Sequence, residues 1–191
     1  MKSQTTTRRP LEATNMSRPR TIQIHLPNGD PRGIRVGETN PSIVQVIEVP
    51  RSLLADFLAM SQSSHTGLYF LLGEDESATP SVYIGRAYDV GASLSTHHSK
   101  TDAWNRAMVV FSLTNNLTPV HTQLLEWMSI QEAEKAGRHT VENETPRWKP
   151  LAQPPLEADC QDIFDTARML LATMGQPIFE PVAASDRRSV S

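Results

Sequence analysis

The stretch from Gly67 to Gly85 reads GLYFLLGEDESATPSVYIG, and it decides the fold. Its two ends are rich in the aromatic and aliphatic residues that favour strands, and the acidic and small residues between them are typical of a loop. Two strands joined by one such loop predict an antiparallel hairpin. Tyr69 lies on the first predicted strand and Tyr83 on the second.

Four further elements are predicted downstream of this hairpin from capping residues, apolar spacing and stop signals. They are a helix capped by Asp89 and running to about His98, a strand at 107–113, a helix from Thr118–Pro119 to Gly137, and a helix from about Leu156 to Met174. This order predicts an α+β fold in which a small three-stranded antiparallel sheet is flanked by helices.

The residues before the hairpin predict a separate, β-rich N-terminal module. Apolar and polar residues alternate on both sides of the turn Asn28-Gly29, a more buried strand follows and ends at Pro50, and a short helix comes next. We therefore expect four segments: a flexible tail at 1–20, the hairpin and helix module at 21–65, the main domain at 66–180, and a second tail at 181–191.

Composition limits the classes of protein to consider. The 191 residues are 38% hydrophobic, enough for an ordinary core, and the formal net charge of -3 gives no strongly basic surface for nucleic acid. The single cysteine, Cys160, excludes an internal disulfide framework and fits a reducing compartment. No apolar run is long enough for a membrane span, and the first ten residues lack the apolar core of a signal peptide. These features predict a cytoplasmic protein without a membrane partner.

The tripeptides Gly67-Leu68-Tyr69 and Tyr83-Ile84-Gly85, at hairpin spacing and followed by helices that carry His97 and Glu126, resemble the motifs of GIY-YIG nucleases. The resemblance covers about residues 67–145. The stretch from about 21 to 174 also resembles a bacterial branch that has an N-terminal hairpin module. Members of that branch often continue into a further C-terminal domain, which we expect to be absent here.

The resemblance implies a DNA endonuclease that hydrolyses phosphodiester bonds with Mg²⁺ or Mn²⁺. Tyr69 and Tyr83 would then act on the attacking water and the phosphate, His97 would assist proton transfer, and Glu126 would hold the metal. Asn143 loosely matches an asparagine that some members place near the site. These implied roles identify DNA as the expected partner.

One departure from the family pattern bears directly on activity. The family's helix arginine falls four residues before the histidine, and this chain has Ser93 there. Arg86, which directly follows Gly85, has a side chain long enough to reach toward the same pocket. Loss of a cation opposite the developing phosphate charge costs several kcal/mol of transition-state stabilisation, so we expect cleavage to be slowed or lost.

Other interpretations of the same residues stay open. The two tyrosines are also typical packing residues of strands, and His97 and Glu126 are also typical of solvated helix faces. The chain is then a catalytically degenerate module that keeps the fold and binds nucleic acid or a protein. A homodimer or a protein partner bound through the N-terminal module is a further alternative.

Overall fold

The structure is a computed structural model that describes residues 19–144 and 148–182. The tails predicted at 1–20 and 181–191 fall almost wholly outside the described residues. The strands are β1 (Ile22–His25), β2 (Arg35–Thr39), β3 (Val44–Pro50), β4 (Gly67–Glu74), β5 (Pro80–Ala87), β6 (Trp104–Ser112) and β7 (Thr140–Val141). The α-helices are α1 (Leu54–Leu58), α2 (Val90–Lys100), α3 (Pro119–Ala136) and α4 (Pro154–Thr173).

The described strands form one mixed sheet of seven strands in the order β1-β2-β3-β6-β4-β5-β7. The chain is α+β, but the prediction of a small three-stranded antiparallel sheet is wrong. The strands β4, β5 and β6 occupy one part of the sheet, β1 to β3 extend it beyond β6, and β7 adds a short parallel strand beside β5. The boundary predicted between residues 65 and 66 therefore separates strands that share one sheet.

The pairing of β3 with β6 explains why the sheet does not stop at three strands. Residues 44–49 of β3 are all buried, so this strand needs cover on both faces and a neighbour at each edge. It pairs antiparallel with β6 from Val44 opposite Ser112 to Pro50 opposite Arg106, and with β2 on its other side. The N-terminal hairpin therefore completes the hydrogen bonding of a central strand.

Alternate residues of the strands face two different hydrophobic clusters. Phe70 and Ile84 pack with α3 and α4 on one face, which we call the α3/α4 face. Tyr69 and Leu71 pack with α1 and α2 on the other, the α1/α2 face. This two-residue period follows from the pleat of a strand and decides which side chains of the hairpin can meet.

A buried ion triad crosses three strands on the α3/α4 face. The carboxylate of Glu48 on β3 is 1% exposed and binds the guanidinium groups of Arg35 on β2 and Arg106 on β6. Arg35 also donates from Nη2 to the carbonyl oxygen of Met174, 2.9 Å away at the end of α4. The triad therefore ties the N-terminal strands to β6 and to the last helix.

The helix ends agree with the local signals in the sequence. The side chain of Asp89 accepts a hydrogen bond from the backbone N–H of Ala92 at 2.8 Å and caps α2. Thr118 caps α3, Pro119 is its first residue, and Gly137 ends it with a left-handed φ of 62°. None of the helices in the described ranges has the length and apolar character needed to cross a bilayer.

Candidate active site

Three aromatic rings meet on the α1/α2 face of the sheet. The ring centroids of Tyr69 and Tyr83 are 6.3 Å apart, and the His97 ring lies 5.5 Å from Tyr69 and 5.1 Å from Tyr83. The hydroxyl of Tyr69 is hydrogen bonded to Nε2 of His97 at 3.1 Å. The hairpin places both phenols on the same side, and α2 lays His97 across them.

Gly85 makes room for the Tyr69 ring. Tyr69 and Gly85 are opposite each other in the β4–β5 register, and Tyr83 lies two residues before Gly85, on the same face of β5. A Cβ atom at position 85 would overlap the phenol ring of Tyr69. The glycine of the Tyr83-Ile84-Gly85 motif therefore has a steric role here: the phenol ring crosses the space that a side chain would fill.

Burial keeps both members of the Tyr69–His97 pair neutral. Tyr69 is 5% exposed, and burial, with smaller effects of Tyr83 and of the Glu126 charge, raises the pKa of its phenol well above the usual value. Burial, with a smaller effect of Lys100, lowers the pKa of His97. At neutral pH, Tyr69 is therefore a hydrogen-bonding phenol, and His97 is an uncharged imidazole that can accept a proton.

Arg86 and Glu126 form an ion pair on the other face of the hairpin from the three rings. Arg86 is next to Gly85 on β5, and its Nε donates to Oε2 of Glu126 on α3 at 2.9 Å. The side chains are 37% and 26% exposed, respectively. Arg86 lies on the α3/α4 face, opposite Leu68, so the pair and the rings belong to different faces of the hairpin. The Glu126 charge nevertheless acts on the pKa of Tyr69, so the two groups are electrostatically connected.

Burial raises the pKa of the Glu126 carboxyl, whereas the hydrogen bond and the charge of Arg86 act in the opposite direction. The guanidinium therefore favours the ionised form of this carboxyl. Because a guanidinium has five N–H donors, its bond to Glu126 leaves donors that suit phosphate oxygens.

Ser93 lies one turn before His97 on α2, a spacing that puts both residues on the same side of the helix. A serine hydroxyl carries no charge, so this position cannot supply the cation that the family pattern has there. Among the candidate residues, Arg86 is the one that brings a guanidinium to the hairpin.

Asn143 braces the strand that carries Tyr83. Its Oδ1 accepts from the backbone N–H of Ile84 at 2.8 Å, and its Nδ2 donates to the carbonyl oxygen of Ile84 at 2.6 Å. Ile84 stands between Tyr83 and Gly85, so the amide acts on the backbone of the motif itself. The structure therefore gives the loosely matched asparagine a place beside the site, with its amide group bonded to β5.

Arg51 and Trp104 support the His97 helix and could not be singled out from sequence. Arg51 donates to the carbonyl oxygens of His98 at 3.0 Å, Thr101 at 2.7 Å and Trp104 at 3.1 Å. Its guanidinium also lies 4.9 Å from the centroid of the Trp104 ring. These contacts cap the carboxyl end of α2. About fifty residues separate Arg51 from its partners, so no local pattern signals the contact.

At the candidate site, Glu126 supplies the carboxylate that could bind a divalent cation. Within 19–144 and 148–182, no group of three or more His, Cys, Asp and Glu side chains is arranged to hold a metal ion. Mg²⁺ is often bound through one or two carboxylates, with waters and substrate phosphate oxygens as its other ligands. The partly exposed Glu126 fits that kind of site, and Arg86 is then its competitor for the same carboxylate.

Comparisons with protein-family models, with curated proteins and with solved structures give no match to this chain. The resemblance to GIY-YIG nucleases therefore depends on the residues of the chain itself and on the arrangement described above.

Proposed function

We propose that the protein hydrolyses phosphodiester bonds in DNA with the help of Mg²⁺ or Mn²⁺. The observation that carries the proposal is the convergence of Tyr69, Tyr83 and a neutral His97 within about 6 Å of one another, with the charge of Glu126, from the Arg86–Glu126 pair on the other face of the hairpin, acting on the pKa of Tyr69. Metal-assisted hydrolysis of a phosphodiester needs a group that accepts a proton from water, a cation near the phosphate and a ligand for the metal ion. The three rings and the Arg86–Glu126 pair together supply one candidate for each.

The proposed role of each residue follows from its charge state. Neutral His97 accepts the proton of the attacking water at Nδ1, while its Nε2–H donates to the phenol oxygen of Tyr69 and so orients the imidazole. The phenol of Tyr83 has the role of orienting the water or a phosphate oxygen in this proposal. In this proposal the guanidinium of Arg86, which lies on the other face of β5 and keeps N–H donors beyond its bond to Glu126, is the cation for the charge on the phosphate in place of the family arginine.

Glu126 would hold the metal ion, which when bound supplies a positive charge for the phosphate oxygens. We also propose a cytoplasmic location, because the single cysteine, Cys160, is free and buried, as suits a reducing compartment.

Nicking of supercoiled plasmid DNA tests this proposal. We expect the wild type to nick in Mg²⁺ or Mn²⁺ and to stop when the ion is chelated. Glu126→Gln should slow nicking by about 100-fold or more, the range seen when one electrostatic group is removed from an active site. Glu132→Gln is the matched control, because Glu132 lies on the same helix and makes ion pairs with Lys135 and Arg168 away from the rings.

The position of the missing arginine gives a second arm of the assay. Ser93→Arg should increase the rate, because it places a guanidinium on the His97 side of α2. Equal rates for the wild type and Glu126→Gln would overturn the proposal.

A second candidate function is a degenerate module that binds nucleic acid or protein without cleaving. The Arg86–Glu126 pair favours it, because the carboxylate expected to hold the metal already has a cationic partner. Retention of DNA in a gel without metal, falling steeply as salt rises, would support nucleic-acid binding. No retention at low salt would favour a protein partner.

A further inference from the structure

A small pocket opens beside the aromatic cluster, on the side of Tyr83 and His97. Its volume is about 90 Å³, and Ser81, Trp104 and Glu142 form other parts of its wall. One water molecule needs roughly 10–15 Å³ of such space, so the pocket admits a group of several heavy atoms. Because two of the candidate catalytic side chains line it, whatever fills the pocket lies next to the reacting atoms.

The Trp104 side chain in this wall has an unsatisfied donor. Trp104 is 3% exposed, and its buried indole Nε1 has no hydrogen-bond partner within 19–144 and 148–182. A buried N–H without a partner is costly and uncommon, and it indicates an acceptor that arrives with a ligand or solvent. The indole is held in place by Arg51 at 4.9 Å over its ring and by the edge of His98, whose centroid is 6.2 Å away.

Glu142 supplies a hydrogen-bond acceptor in the wall of the same pocket. Its exposed carboxylate accepts hydrogen bonds and repels a phosphate group, so the pocket is not suited to the scissile phosphate itself. Its backbone N–H is anchored to the carbonyl oxygen of Val82 at 3.0 Å, which fixes residue 142 against β5. A donor, an acceptor and two aromatic rings together suit a planar group that has both acceptor atoms and an amino group.

We propose that this pocket binds an amino-bearing nucleobase of the substrate strand, adjacent to the phosphate that is cleaved. The amino group donates to Glu142, and a ring nitrogen or carbonyl oxygen of the base accepts from Trp104, while Tyr83 and His97 contact the base with their rings. Cytosine has this pattern, whereas thymine lacks the amino group. The inference rests on the proposed function, since it assigns the substrate side of the same site.

The test follows the indole N–H signal of Trp104 by nitrogen-15 NMR on the full chain, with Trp104→Phe used to assign it. Deoxycytidine 5′-monophosphate should shift this signal in a saturable way and leave that of the exposed Trp148 in place. Thymidine 5′-monophosphate should bind about tenfold more weakly, because one hydrogen bond to a charged acceptor is lost. Base-free 2-deoxyribose 5-phosphate should leave the Trp104 signal unchanged.

Glu142→Gln should weaken the binding of deoxycytidine 5′-monophosphate by about tenfold. Glu144→Gln is the matched control, because Glu144 lies two residues further along the chain and is also exposed. No shift of the Trp104 signal, or an equal shift with the base-free sugar phosphate, would overturn the inference. The outcome is separable from the proposed function. Nicking without nucleotide binding removes only the base pocket, and binding without nicking removes only the hydrolysis.

Discussion

Replacement of Gly85 by alanine tests the geometry of the aromatic cluster directly. The new methyl group would occupy the space of the Tyr69 phenol ring, so one of the two must move. Overpacking of this kind costs about 1–3 kcal/mol, and the reduced freedom of alanine in the unfolded chain returns about 0.5–1 kcal/mol. We expect Gly85→Ala to lower the free energy of unfolding by about 1–2 kcal/mol, and Tm by roughly 2–8 °C.

A double-mutant cycle separates this steric effect from a general effect on the strand. With Tyr69→Ala the ring is gone, so Gly85→Ala should then be neutral or should stabilise by about 0.5–1 kcal/mol. Urea unfolding of the four proteins at low temperature measures the coupling, expected at about 1–3 kcal/mol. An equal cost of Gly85→Ala in both backgrounds would refute the placement of the Tyr69 ring over Gly85.

Two further predictions concern charge. Glu48→Gln should lower the free energy of unfolding in urea by about 3 kcal/mol, because it leaves Arg35 and Arg106 partly buried without their shared carboxylate, and a loss below about 0.5 kcal/mol would contradict the triad. The pKa of His97 in the folded protein is lowered from the ordinary value of 6.5. Between the two values the unfolded chain binds more protons than the folded one, so the free energy of unfolding should rise with pH through this window and fall on acidification. His97→Gln should remove that part of the pH dependence, and an NMR titration midpoint of His97 at or above 6.5 would contradict the prediction.

The elements around the candidate site could be predicted from sequence because their signals are local. The hairpin of β4 and β5, the Asp89 cap of α2 and the limits of α3 at Thr118 and Gly137 each depend on residues a few positions apart. Such signals act before any tertiary contact forms. The meeting of Tyr69 and Tyr83 follows from the same hairpin, since its register sets which side chains share a face.

The size of the sheet could not be predicted in this way. A separate N-terminal module would leave β3 without its neighbour, whereas in the structure β3 pairs with β6 across about sixty residues of chain. A buried run such as 44–49 indicates that a strand is covered on both faces, but it does not indicate which strand lies beside it. The strands β3 and β6 become neighbours only when the whole sheet forms.

The sequence by itself therefore determined the hairpin, its two phenols and the helices that begin and end at recognisable caps. Only the tertiary structure decided that Arg86 would bind Glu126, that Arg51 would hold the end of the His97 helix, and that Trp104 would line a pocket beside Tyr83. The physical reason is the separation, along the chain, of the residues that interact. Backbone geometry and caps are decided within a turn or a hairpin. These contacts, by contrast, join residues about 20 to 50 positions apart, and they exist only when the sheet brings their elements together.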